Sequence, residues 1–569
     1  MRTFCWVACL WLGWAGGGLA WHLDREVVGI SVVWDVGLGT NVHVVGNHPD
    51  LGDWSPERSV KLRWTSGNVW TGQVAVEKGT ALEYKFISRS GAPGISCEGA
   101  NVVWEPGPNR TRFVESGSPP PSPGKTVYYY SGWTSAVLVT VTATGFPVYP
   151  MVAVGPGRTP GETLFKAEQV GVAGEDLEFV PNGWLNGTNY WDNSPEPDFG
   201  GNYRTRLDAF LLQDGDVFGY WPSNSVSAPR FEERFVNSSH PPIDGRAIRI
   251  WLPRGYDSHP WKRYPVMYFQ DGQNLYHGAD AFGNGAWDAD LTSRREISQG
   301  RMREIILVAI DNFPERRRWE YNPLGDTYPG EAAGRADAYL RFLVDNVRPT
   351  LDFHYRTLND RRNTLVGGSS MGGIFSIYAG FETNVFGGVL AMSPAFTRAP
   401  NYSASLAGRP KGPWRVYMDT GNNEGQVGPH PGGNYWEAPW DGYDRLLGQG
   451  YAPNLDLLMR VGCGHVHNEA AWRARLPEAM RFLLPVGDEP NRIALGEWPP
   501  DLELAQESSS IAFATQGRWR YYVERGLPGA WQSVGDAVVE AQRWGVAHVP
   551  APLTNGPSAW LRVVTEPAD

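Results

Sequence analysis

Gly368-Ser369-Ser370-Met371-Gly372 fits the pattern G-x-S-x-G, in which a sharp turn between a strand and a helix lifts a serine hydroxyl toward a substrate. The glycines have a steric reason to be there. The nucleophile sits in strained backbone, and side chains at the flanking positions would strike the strand or the helix. A lone serine hydroxyl is a poor nucleophile and needs a base, which in turn needs an acid to orient it. The helix that follows aims its first N–H groups at the developing oxyanion, and the amide of Met371 is the expected first donor. Late in the chain stand two histidines that could act as base, His465 and His467. Between serine and histidine, Asp419 and Glu424 follow the strand-like run Trp414-Arg415-Val416-Tyr417-Met418 and are the candidate acids. His465-x-His467-x-Glu469 also mimics a metal cluster. No further ligand set accompanies it and the serine explains the histidine better, so no metal and no cofactor are expected.

The elements that must position these groups alternate. Ala247–Leu252, Tyr264–Phe269, Ile305–Ile310, Asn363–Val366, Val385–Met392, Trp414–Met418 and Leu455–Met459 read as strands. Helical segments lie between them, among them Ala336 to Thr350 with Tyr339, Phe342, Leu343 and Val347 on one face. Strands alternating with helices predict a doubly wound, mainly parallel sheet. Three phrases in order, Tyr268-Phe269-Gln270-Asp271-Gly272-Gln273-Asn274-Leu275, Gly367 to Gly373 and His467-Asn468-Glu469-Ala470-Ala471-Trp472, resemble the putative-esterase family. That family belongs to the α/β-hydrolases and includes feruloyl, acetyl xylan and enterochelin esterases. The resemblance implies an α/β-hydrolase domain over 245–487 that cleaves carboxylic esters with a Ser-His-Glu/Asp triad. It selects His467 as the base and Glu424 as the acid, with Asp419 the alternative. It places the second oxyanion amide in the loop after Phe269, near Gly272 or Gln273. Asp271-Gly272 stands there where simpler relatives have His-Gly.

At 569 residues the chain is too long for one core, and several domains are expected. Hydrophobic content of 41% and charged content of 20% are those of globular protein rather than disorder. A net charge of -11 argues against nucleic acid or an anionic membrane as partner. Arg2, the apolar run Phe4 to Leu12 and the small residues ending Gly18-Leu19-Ala20 read as a signal peptide over 1–20, so a secreted product is expected. Cys5 and Cys9 go with it. Cys97 and Cys463 fall in different domains, and no disulfide between them is expected.

The stretch 26–115 is rich in short β-branched strands bounded by Gly, Asn and Pro, a pattern that suggests a β-sandwich. Val45-Gly46-Asn47, Leu51-Gly52-Asp53-Trp54, Glu83-Tyr84-Lys85-Phe86 and Val103-Trp104-Glu105-Pro106-Gly107-Pro108-Asn109-Arg110 resemble the starch-binding modules of carbohydrate-binding family twenty. The resemblance implies a surface site of Trp54, Trp104 and Lys85, with Asn109 nearby. A flat exposed indole suits the apolar face of a glucose ring and loses little side-chain entropy. Trp70, inside an alternating strand, is expected in the core, while Trp64 is a candidate for a second site. A proline-rich linker over 116–124 follows. Residues 125–212 again read as strands and resemble starch-binding families twenty-five and twenty-six, with Trp133, Trp184 and Trp191 as stacking candidates. A connector over 213–244 precedes the α/β-hydrolase domain, and 488–569 reads as a β-rich C-terminal module. The expected whole is a multidomain secreted serine esterase directed to starch or a related α-glucan, acting on a small acyl or feruloyl ester. A catalytically silent glucan-binding protein and an acyltransferase are the alternatives.

Overall fold

The computed structural model describes residues 25–37, 40–77, 80–90, 102–114, 124–142, 145–173, 175–195, 201–220, 222, 225–259, 262–276, 285–327, 332–424 and 438–486. It also describes, as backbone strands, Ser510–Thr515, Trp519–Leu527, Ala530–Ala541, Gly545–Pro550 and Trp560–Pro567. The signal segment, the proline-rich linker up to residue 123 and Cys5, Cys9 and Cys97 lie outside the described residues.

Two antiparallel sheets build the N-terminal sandwich. Arg25–Val33 pairs with Val69–Glu77, and Ala81–Ser90 pairs with Thr40–Gly46, Val102–Trp104 and Arg110–Phe113. Val28, Val42, Val44, Val74 and Phe86 fill the space between them. Trp70 lies in that core as expected, its indole N–H donating to the Trp34 carbonyl at 2.9 Å. A second, nine-stranded β assembly runs from Lys125 to Phe218 around Tyr128, Leu138, Phe179 and Phe210.

The expected connector over 213–244 is not one. Asp216–Phe218 pairs with Ala209–Gln213, so the second assembly ends later than residue 212. Arg230–Val236 is a strand of the third sheet. Its sequence, Arg230-Phe231-Glu232-Glu233-Arg234-Phe235-Val236, alternates in burial along its length, the pattern of an edge strand covered on one face only.

The third sheet has eight strands: β1 (Arg230–Val236), β2 (Arg246–Leu252), β3 (Val266–Gln270), β4 (Ile306–Ile310), β5 (Thr364–Ser369), β6 (Gly388–Met392), β7 (Arg415–Gly421) and β8 (Leu457–Gly462). Their spatial order is β1-β2-β4-β3-β5-β6-β7-β8. β2 runs antiparallel to β1 and β4, and every pair from β4 to β8 is parallel. The central strands are apolar throughout because both faces are covered. Val266 and Tyr268 of β3 point into one core with Ile374, Phe375 and Tyr443. Met267 and Phe269 point into the other with Trp472, Leu476 and Met480. Those partners come from α3 (Met371–Glu382) and α4 (Ala438–Gly448) on one side and from α5 (Glu469–Leu483) on the other, with α1 (Ala289–Ser298) beside α5 and α2 (Ala336–Phe342) beside α3. Each fully buried aliphatic or aromatic side chain is worth about 1.5–3 kcal/mol of transfer free energy. The two cores therefore hold the sheet between its helices and leave the strand ends to the loops.

Past residue 509 the strands form an antiparallel pair and an antiparallel triplet. Cys463, just beyond β8, is disulfide-bonded, and its partner lies outside the described residues. The expectation of no bond between Cys97 and Cys463 rested on their falling in different domains, a weak ground in a structure whose first sandwich packs against α4 and β8.

Candidate active site

Ser370 occupies the turn between β5 and α3 with φ 55° and ψ -118°, a conformation that side chains rarely adopt. The turn is pinned from both sides. The Ser370 amide donates to the Met392 carbonyl at 2.9 Å, and the Ala395 amide donates to the Ser370 carbonyl at 2.9 Å. Gly368 is required: a Cβ there would lie 2.6 Å from the carbonyl carbon of Gly372. No side chain caps α3, so its first amides are not satisfied by a cap and face the serine. Met371, the expected oxyanion donor, is the first residue of that helix.

The acid and the histidine come from the next strands along. Glu424 follows β7 and His467 follows β8, so all three groups lie at the C-terminal ends of parallel strands. The His467 Nδ1 and a Glu424 carboxylate oxygen are 2.9 Å apart. The Glu424 side chain is wholly buried, whereas that of His467 is 27% exposed and so open to the site. The other Glu424 oxygen accepts from the Gly421 amide at 2.7 Å and from the Ser393 hydroxyl. Burial alone would raise the Glu424 carboxyl, but the hydrogen bond and charge of His467, with Ser393 and Arg475 adding to them, draw it below its ordinary value. It therefore stays ionised, as an acid that must stabilise imidazolium needs to be.

Asp419 is turned elsewhere. Its carboxylate takes both Nε and Nη2 of Arg475, at 2.8 and 3.1 Å, and also accepts from the Ser393 amide and the Tyr417 hydroxyl. Arg475 in turn donates to the Ser393 hydroxyl oxygen at 2.9 Å, as does the Trp472 indole at 3.0 Å. Asp419, Arg475, Ser393 and Glu424 thus form one buried chain of hydrogen bonds ending on His467. Trp472 also meets the His467 ring edge-on at 5.1 Å. His465, the rival base, has its Nδ1 3.1 Å from an Arg475 nitrogen, and burial and that cation hold its pKa below the ordinary value. A ring facing a guanidinium is poorly placed either to take the serine proton or to bind a cation.

Gln273 lies just past β3, and its side-chain carbonyl accepts from the Asn312 amide at 3.1 Å. Asp271, directly after β3, has φ 57° and a nearly buried carboxylate gripped by Arg317 through two contacts of 2.7 Å. Its Oδ2 would lie 3.1 Å from a Cβ placed on Gly372, so it rests against the nucleophile helix. Sequence reasoning missed Ser393, Arg475 and the Asp271–Arg317 pair. The one available signal was Asp271-Gly272 standing in place of His-Gly. The arginines carry no signal, because nothing in a sequence distinguishes a buried guanidinium from a surface one.

The sugar-binding candidates fall in two groups. In the first sandwich Trp104 is 40% exposed and Trp54 half-buried. The Lys85 amine donates to the Gly107 carbonyl at 2.6 Å, and the Asn109 amide donates to Glu83 at 2.7 Å. Trp64 is exposed on Arg63–Thr65. In the second assembly Trp184 and Trp191 are 40% and 52% exposed on a single hairpin, where Trp184 pairs with Asn189 and Trp191 with Asn182. Trp133 does not join them. Its ring lies over Gly183, where a Cβ would approach it to 2.1 Å, and its edge meets Tyr129 at 5.6 Å, so it packs the sandwich instead.

Residues 242–483 match the family described as Putative esterase, and residues 27–120 match that described as Starch binding domain. The chain therefore carries an esterase domain and, ahead of it, a starch-binding domain. Among curated proteins it is 39% identical over 77 residues to an alpha-amylase of Streptomyces violaceus, covering 14% of this chain and 12% of that protein. It is 33% identical over 92 residues to an AA13 family lytic polysaccharide monooxygenase of Aspergillus terreus, covering 16% and 20%. The chain thus spans only a small part of the length of these relatives. Among solved structures it resembles a ferulic acid esterase from Anaeromyces mucronatus, with 20% identity, 46% of this chain and 93% of that one covered, and a TM-score of 0.32. It also resembles the enterobactin esterase of Shigella flexneri, with 14% identity, 62% and 88% covered, and a TM-score of 0.34.

Proposed function

We propose that this protein is a secreted serine carboxylic ester hydrolase of the α/β-hydrolase type, directed to starch or a related α-glucan. Ser370 attacks the ester carbonyl while His467 takes its proton. Glu424 holds the imidazole in the productive tautomer and stabilises the imidazolium. The amides of Met371 and Gln273 receive the oxyanion, and the departing alcohol takes the proton back from His467. Water then repeats the sequence on the acyl-enzyme and releases the acid. The observation that carries this reading is the 2.9 Å contact between Glu424 and His467, in a sheet whose strained serine turn also lies at the C-terminal end of a parallel strand. A catalytically silent protein would have no use for a buried ionised carboxylate aimed at a half-open histidine. Trp54, Trp104, Lys85 and Asn109 supply the glucan contact, and Trp184 with Trp191 a further aromatic surface on the second assembly.

The test is covalent capture. A fluorophosphonate should add to Ser370 in the wild-type chain, seen as a mass increase on the peptide containing that residue. His467→Ala should prevent the labelling. Labelling elsewhere, or labelling of Ser370 at an equal rate without the histidine, would refute the triad.

A further inference from the structure

We propose that the esters cleaved here are borne by the α-glucan that the starch-binding domain itself holds, so that the substrate is an O-acylated α-glucan and not an ester on some neighbouring polymer. The inference rests on the esterase reading above and adds the substrate class to it. It follows from how the two domains meet.

The starch-binding domain is seated on the esterase domain, not merely tethered to it. Lys61, only 6% exposed, pairs with Asp444 of α4 at 2.8 Å and stands over the Trp440 ring at 5.4 Å. His43, 1% exposed, meets the same ring edge-on at 6.3 Å. Asn454, just ahead of β8, donates to the Asp50 carbonyl at 2.7 Å, and the turn Pro56–Arg58 lies against β8. β8 is the last strand of its sheet, and a covering domain shields an edge otherwise open to pairing with other chains. A nearly buried ammonium paired across the domains, beside a buried histidine on the same Trp440 ring, marks a packed seam and not a loose tether.

The sugar-binding face and this seam are the same face. Cross-strand register places Lys61 opposite His43, His43 opposite Ile87, and Ile87 opposite Trp104. These four residues form one row across the sheet, on the side away from the core that holds Val44 and Phe86. Neighbouring strands are about 4.8 Å apart, so Trp104 stands roughly 10 Å from the histidine that touches the esterase domain. Lys85, two residues from Ile87 on the same strand, shares the face. Trp54 lies between Asp50 and Pro56, both at the seam. On the other side, α4 begins the chain's return after Glu424, and β8 leads into the loop that bears His467. A glucan stacked on Trp54 and Trp104 is therefore held at a fixed place on the domain that carries the proposed triad.

A loose tether would raise the local concentration of any ester within its reach. A fixed seam instead offers the active site esters at set distances along the bound chain. In the reaction His467 then returns the serine proton to a departing glucan hydroxyl oxygen, and water releases the acid from Ser370.

The test compares acetylated soluble starch with an aryl acetate, using the full chain. Lys61→Glu sets two carboxylates together and should open the seam. It should lower kcat/KM on acetylated starch by at least about tenfold while leaving the aryl acetate value within about twofold. The double variant Lys61→Glu with Asp444→Lys should restore the starch rate. Asn454→Ala, a milder break that keeps the ion pair, should give a smaller loss of the same kind and serves if Lys61→Glu fails to fold. β-Cyclodextrin binding should be unchanged in all of them. If seam variants that still bind β-cyclodextrin lose nothing on acetylated starch, or lose equally on both esters, the inference is overturned. A wild-type chain inert toward the aryl acetate would instead overturn the esterase reading itself.

Discussion

The catalytic end of the large sheet and the sugar-binding face of the first sandwich are built in opposite ways. At the end proposed as catalytic, groups from a strand, a helix and three loops form a buried chain of hydrogen bonds from Asp419 through Arg475, Ser393 and Glu424 to His467. Each member of the chain meets the next, so each position depends on the others. On the sandwich, Trp104 lies exposed on a strand and Trp54 half-buried on a turn, without any such network. The first arrangement supports chemistry, which needs groups held within fractions of an ångström. The second supports binding of a flexible polymer, for which a flat apolar plate is sufficient. Single substitutions should therefore be steep at one and shallow at the other.

The largest effect should come from Ser370→Ala, which removes the proposed nucleophile and should cost ~10⁶ in aryl acetate turnover. Retention on insoluble starch should be unchanged, and a parallel loss of retention would erase the contrast between the two regions.

Glu424→Ala should lower turnover by about 10⁴, the usual consequence of losing the orienting acid. Asp419→Ala tests the same network from its far end. It strands the buried Arg475 charge and should cost ~3–5 kcal/mol of stability by thermal or denaturant melting. Its turnover while folded should fall much less than that of Glu424→Ala. The reverse ranking would transfer the acid role to Asp419.

Asp271→Asn weakens the grip of Arg317 on the loop that bears Gln273, and should lower kcat by about 10² with KM little changed, as for a lost oxyanion donor. A rise in KM at constant kcat would mean instead that the pair contacts the substrate ground state.

On the sandwich, Trp104→Ala should weaken starch binding by only ~1–2 kcal/mol, the scale of one aromatic contact, without lowering the melting temperature. Isothermal titration with β-cyclodextrin measures it directly.

The smallest effect concerns pH. Burial first, then the charges of Arg89 and Lys61, hold His43 well below its ordinary value of 6.5. A histidine depressed in the folded state contributes stability that is complete above its unfolded pKa and lost as pH falls toward the folded one. Unfolding of the starch-binding domain should therefore become easier as pH drops below 6.5, and His43→Gln should flatten that slope. An unchanged slope would place the pH dependence elsewhere.

The catalytic sheet was largely legible in the residues. Its apolar runs are strands because both faces are covered, and the serine turn announces itself through glycines that nothing else could replace. The edge strand Arg230–Val236 reads as part of a polar, proline-containing connector: Phe231 and Phe235 are exposed and Arg230, Glu232 and Arg234 lie on the half-covered face, so no apolar alternation marks it. Trp133 was offered as a sugar platform, although it sits among turn residues only because its ring covers the backbone of Gly183. An indole at a turn looks the same in sequence whether its face meets solvent or a glycine.

By itself, the sequence determined that a serine, an acid and a histidine stand in order at the ends of successive strands, and that a tryptophan-bearing sandwich precedes them. Those features are local: turn sterics, strand periodicity and short motifs act over a few residues. Tertiary structure brings Glu424 to His467 and turns both Asp419 and His465 toward Arg475, a pairing that no local signal in the sequence contains. It also decided that the first sandwich is seated on the esterase domain. Lys61 and Asp444 lie far apart along the chain, and only folding brings an ammonium and a carboxylate to 2.8 Å. Local preferences set what each segment becomes, whereas the partner of a buried charge is chosen by whatever the whole fold places beside it.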